Sequence, residues 1–205
     1  ASNEQAAPSS RTFFFFSGHG VQTNWYPVLL PSDYLDPAFP KPILENCISA
    51  AELITWMDRN PVAEHLALLD ACRNEFSPLA SKGATALGCF PTNVSGGPAP
   101  RTAASLASTS PNALAFQLHD RPRTFFGEAV LEALRNGIVG GADARLEFRE
   151  LVAYVKPRIN ALLQEAQPGT TLDQTARPRI DGDDTMVVTE NRMPAASPTA
   201  LEAVR

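Results

Sequence analysis

The sequence predicts an α/β fold with a mostly parallel central sheet flanked by helices. Three observations predict it. Two uniformly apolar runs, Phe13-Phe14-Phe15-Phe16 and Leu66-Ala67-Leu68-Leu69, are too short for helices and too apolar for exposed strands, so each reads as a covered strand. A helical pattern, Ala50 to Arg59, lies between them, and strand–helix–strand in that order implies a right-handed parallel crossover. Each run also ends abruptly in a short polar loop, one carrying His19 and the other Cys72. In an open parallel sheet the carboxyl ends of the strands are where sites form.

Residues 1–12 are polar and rich in Ala and Ser, and read as an N-terminal loop. Phe13 to Phe16 is placed in the middle of the sheet, and Ser17 to Asn24 is a glycine-punctuated loop. Tyr26 to Leu30 adds a short extended piece, after which Pro31, Pro37, Pro40 and Pro42 keep the chain irregular. Ser49 is a good N-cap, with Glu52 three residues on completing a capping box. The helix they start presents Leu53, Ile54 and Met57 on one face and ends at Asn60-Pro61. Val62 to Leu69 is the second major strand. From Asn74 to Pro100 the composition shifts to Pro, Gly, Ser and Ala, a loop long enough to be functional or disordered. Ala103 to Ser108 reads as a third strand and Phe125 to Arg135 as a helix ending at Asn136-Gly137. Arg145 to Gln164 repeats apolar residues at helical spacing, with Pro157 expected to kink or divide it. Met186 to Thr189 is a fourth strand. Residues 191–205, with Pro194 and Pro198, read as a tail or linker.

At 205 residues the chain suits one domain with a sizeable core, assigned to residues 13–190. A formal net charge of −5, without a Lys/Arg cluster, argues against nucleic-acid binding. The three cysteines, Cys47, Cys72 and Cys89, form neither a disulfide framework nor a zinc pattern. There is no leader and no apolar run near 18 residues, so a cytoplasmic protein with no membrane association is expected.

A thiolate attacks a carbonyl well only if something holds the thiol deprotonated, and an imidazole is the usual device. His19 is the evident partner of Cys72, and would later donate a proton to the leaving amine. Gly20 and Cys72 offer backbone amides for an oxyanion hole, worth roughly 3 kcal/mol per donor. Gly18 and Gly20 suit the close backbone approach this demands. Taken singly, a strand-end cysteine is more often a small buried hydrophobe. It is the pairing of the two strand ends that favours catalysis. His65 at a strand start and His119 in a turn read as solvated, and Cys47 and Cys89 have no evident base. Asp33 reads as structural.

These residues resemble the caspase-like cysteine peptidases, on the metacaspase, paracaspase and bacterial side of that group. Cys72 follows His19 by 53 positions, near the ~50 seen in caspases, and Asp70-Ala71-Cys72-Arg73-Asn74 is similar to their Gln-Ala-Cys-[Arg/Gln/Gly]-Gly motif. Phe14 to Gly20 looks like the family's histidine strand and loop. Leu29-Leu30-Pro31-Ser32-Asp33, Ile48-Ser49, Ala107 to Asn112 and Phe125 to Leu134 follow in family order, so the likeness spans roughly residues 12 to 190. It implies a three-layer sandwich and a thiol protease needing no cofactor for chemistry. The family's N-terminal strands, on the order of 60–80 residues, are absent from this chain. That would leave Phe13 to Phe16 with an apolar edge, so an N-terminal segment or second chain completing the sheet is expected.

The resemblance also implies specificity. The residue two before the nucleophile lines the pocket for P1, the residue preceding the cut bond, and aspartate there accompanies cleavage after Arg or Lys. A carboxylate pairs with a guanidinium in a bidentate way, favouring Arg. Ser17 resembles a pocket serine of metacaspases, and Ser108 to Ser110 would form the wall. Lys82 and Arg101, in the 74–100 loop and just beyond it, are candidate self-cleavage sites. Asp181-Gly182-Asp183-Asp184 invites a calcium reading but lacks a calcium loop's spacing, so calcium activation is unsupported and the segment reads as an acidic turn. The competing readings are a catalytically inactive caspase-like interaction or regulatory module, and an unrelated α/β domain with a buried Cys72.

Overall fold

A computed structural model of the chain describes residues 11–22, 27–31, 47–50, 52–53, 57, 64–75, 102–111, 113–117, 123–136 and 145–190. The central sheet has four strands: β1 (Arg11–Gly18), β5 (Glu64–Ala71), β7 (Thr102–Ala107) and β9 (Arg177–Asp181). They lie in the order β1-β5-β7-β9. The first three are parallel and β9 is antiparallel to β7. A small second sheet joins β2 (Gly20–Gln22), β3 (Pro27–Leu29), β4 (Ile48–Ser49) and β6 (Asn74–Glu75). Two helices, α1 (Phe125–Asn136) and α2 (Phe148–Ala166), follow, and β8 (Arg145–Glu147) pairs antiparallel with β10 (Val187–Glu190).

Side-chain alternation along the strands makes three layers. Leu66, Leu68, Ala104 and Leu106 face α1 and α2, where they pack with Phe126, Ala129, Val130, Leu151, Val155 and Ile159. Ala67, Leu69, Ala71 and Ala107 face the other way, onto Ala50, Leu53 and Met57, which belong to a helix. Both faces of β5 are therefore covered, which is why its sequence is apolar without alternating. The capping box at Ser49 is present. The Ser49 amide donates to Glu52 Oε2 at 3.1 Å, and the Glu52 amide to Ser49 Oγ at 3.0 Å.

Several expectations are corrected. Phe13 to Phe16 is not central: β1 is an edge strand of the described sheet, with Phe13 56% and Phe15 47% exposed. Only its even residues, Phe14 and Phe16, pack on a core cluster. His65 is buried rather than solvated, because it lies inside β5 on a covered face. Pro157 does not divide its helix. Pro157 and Ala153, whose carbonyl loses its helical partner there, are both exposed, so the lost bond falls on the solvent side of the helix. That helix begins at Phe148, after β8, through a Glu147/Glu150 capping box. β9 was not anticipated. Asn74 and Glu75 belong to β6 rather than to a loop, while 76–101, with Lys82, Cys89 and Arg101, lies outside the described residues, as do Asp33 and His119. Asp183 accepts bonds from the Thr185 amide and hydroxyl, as turn-capping carboxylates do. No helix among the described residues is long and apolar enough to cross a membrane.

Candidate active site

Register positions the two candidate catalytic residues. β1 and β5 pair from Arg11↔Glu64 to Gly18↔Ala71, so His19 and Cys72 are the first residues beyond the ladder on neighbouring parallel strands. Gly20 makes that neighbourhood tight. A Cβ on it would meet the Cys72 carbonyl oxygen at 2.7 Å and the Ala71 Cβ at 2.9 Å. Only glycine permits this approach. The His19 side is exposed and the Cys72 side half-buried. The His19 carbonyl accepts from the Leu30 amide at 2.9 Å, which fixes the histidine loop from its outer side. The Cys72 sulfur accepts from the Ala115 amide at 3.3 Å. The sulfur also reaches the Ala115 carbonyl at 3.7 Å, so both backbone groups of Ala115 hold its position.

Two positions back along the ladder, Ser17 sits beside Asp70, and Ser17 Oγ donates to Asp70 Oδ2 at 3.0 Å. The Thr124 hydroxyl donates to the same oxygen. Thr124 also caps α1, accepting from the Gly127 amide at 2.9 Å, so the carboxyl sits by the positive end of a helix. Asp70 is 2% exposed, and its Oδ1 has no hydrogen-bond partner among the described residues. Burial pushes its carboxyl above the usual range, against the lowering effect of the nearby hydroxyls of Thr124, Ser17 and Ser108. Ser17 and Asp70 line a groove of about 380 Å³ between the outer side of β1 and α1, with Thr124, Arg123 and apolar walls from Phe13, Phe15 and Leu131.

Ser108 and Ser110 are not among the groove's lining residues. Ser108 is fully buried, bonded to the Ala71 amide at 3.1 Å and near enough to Asp70 to lower its pKa. Ser110 Oγ accepts from Arg177 Nε at 2.7 Å. Three residues at the site went unforeseen. Thr124 carried a signal, a threonine directly before a helix. Arg73, buried, stood in the motif after Cys72 without a role assigned to it, and Gln174, also buried, carried no signal that single-sequence patterning reads. Gln174 ties two segments together, accepting from the Phe116 amide at 2.9 Å and donating to the Ser108 carbonyl at 3.1 Å.

A caspase domain family model matches residues 1–183. Among solved structures, caspase-1 from Spodoptera frugiperda aligns at 15% identity and TM-score 0.48, over 91% of this chain and 64% of its own. A Geobacter sulfurreducens protein aligns at 14% and 0.46, over 84% and 66%. The chain thus spans just under two thirds of the length of each. No curated protein matches the sequence significantly. On the extent of the family match, the chain belongs to the caspase domain family, a family of cysteine peptidases.

Proposed function

We propose that the protein is a cysteine endopeptidase that cuts after basic residues, Arg in preference to Lys, through Cys72 and His19. The Cys72 thiolate attacks the scissile carbonyl, and the amides of Gly20 and Cys72 receive the oxyanion. The amine leaves with a proton from His19, and water then hydrolyses the thioester. The carrying observation is Asp70: a buried carboxyl two residues before the nucleophile, with one oxygen fully engaged by Ser17 and Thr124 and the other unpartnered among the described residues. An unfilled buried acceptor is costly, and a guanidinium donor relieves that cost. The edge of β1, unpaired among the described residues, supports a completing strand from an N-terminal segment or a second chain.

Fluorogenic peptides differing only at P1 test the reading against wild type, Cys72→Ala and His19→Ala. Turnover of the Arg peptide that disappears in both variants is expected. Turnover surviving in Cys72→Ala overturns the assignment. Self-cleavage at Lys82 or Arg101 belongs to the same proposal. Intact-mass measurement of active enzyme over time is expected to show cuts there, and a persistently whole chain refutes it.

A further inference from the structure

We propose that Arg73 is a positioning residue that fastens the histidine loop to the nucleophile loop through Gln22. The inference rests on the Cys72–His19 reading above. Arg73 follows the nucleophile directly and is 3% exposed. Burying a guanidinium is costly unless its donors are filled. Here Nε and Nη2 both donate to the Gln22 side-chain oxygen, at 3.1 and 2.9 Å, and Nη1 reaches the Thr109 carbonyl at 3.5 Å. Gln22 ends β2, the strand that begins one residue after His19.

The two loops are thus joined twice. Beyond the arginine, β2 and β6 pair in parallel through Val21↔Asn74 and Gln22↔Glu75. The Arg73 amide also donates to the Ala113 carbonyl at 3.0 Å, two residues before the amide that meets the Cys72 sulfur. One buried side chain and its own backbone therefore hold the histidine strand on one side and the segment over the sulfur on the other. A lysine cannot replace it, because two coplanar N–H groups on one amide oxygen need the guanidinium fork.

The test reads alkylation of the Cys72-containing peptide by iodoacetamide against pH, with kcat and KM for an Arg peptide alongside. In Arg73→Met and in Gln22→Ala, kcat is expected to fall about 100-fold, as for loss of near-attack geometry. KM should change little, and the alkylation profile should move toward that of His19→Ala. Arg73→Lys is expected to fail similarly, and Arg73→Lys combined with Gln22→Glu to recover activity through a new ion pair. Gln22→Ala, at a half-buried position, carries the test should Arg73→Met not fold. Profiles of Arg73→Met and Gln22→Ala that match wild type, while His19→Ala differs, overturn this inference and leave the dyad standing. Wild type matching His19→Ala overturns the dyad, and the inference with it.

Discussion

Gly20 has no room for a side chain, since the atoms a Cβ would meet are the Cys72 carbonyl oxygen and the Ala71 Cβ. Neither can swing aside. Gly20→Ala is therefore expected to push the histidine loop outward and lower kcat/KM for an Arg peptide about 100-fold, and an unchanged rate would mean the loops need no such closeness. Asp70 yields a pH prediction. Its folded-state carboxyl titrates above the ordinary value of 3.8 because it is buried, so the folded protein holds a proton the unfolded chain has already lost. Stability falls as pH rises from that value through the raised one, and thermal melts of Asp70→Asn should gain on wild type across the same window. The site demands the opposite state. KM for an Arg peptide is expected to rise as pH falls through the raised value and Asp70 is neutralised. That His19 and Cys72 end neighbouring strands was legible because each follows an apolar run, whereas Asp70 drew notice only through the family resemblance. His65 was misjudged because its burial comes from a layer supplied by residues elsewhere in the chain.

Among the elements, α1 shares its first turn with the candidate pocket. Thr124 both caps the helix and binds Asp70, so Thr124→Ala should cost about 1 kcal/mol in chemical denaturation and weaken discrimination between Arg and Lys peptides. An unaltered preference would remove Thr124 from specificity. Among the described residues β1 has its ladder on one side only, with Phe13 and Phe15 exposed beside it. Phe15→Lys is expected to reduce concentration-dependent association in sedimentation, because a charge blocks pairing at an apolar edge. The helices were legible from their 3.6-residue apolar spacing. β8 and β9 were not, since Arg145–Glu147 runs straight into a helix and Arg177-Pro178-Arg179 resembles a loop until β7 pairs with it.

Across the whole molecule, the parallel order of β1, β5 and β7 follows from short apolar strands joined by long connections, and this much the composition pattern made plain. The edge position of β1 was anticipated only through the family resemblance, because a covered strand and an edge strand carry the same apolar run. The site's supports are distant in sequence. Gln174 and Thr124 reach Ser108 and Asp70 across 66 and 54 positions, separations that local patterning does not encode. Mass-spectrometric mapping of cuts in a mixed peptide library tests the proposed sulfur nucleophile and the acidic pocket together. Cuts after Arg that vanish in Cys72→Ala, and lose their basic preference in Asp70→Ala, are predicted. Cuts after Asp, or an Arg preference that survives without Asp70, would contradict the proposal.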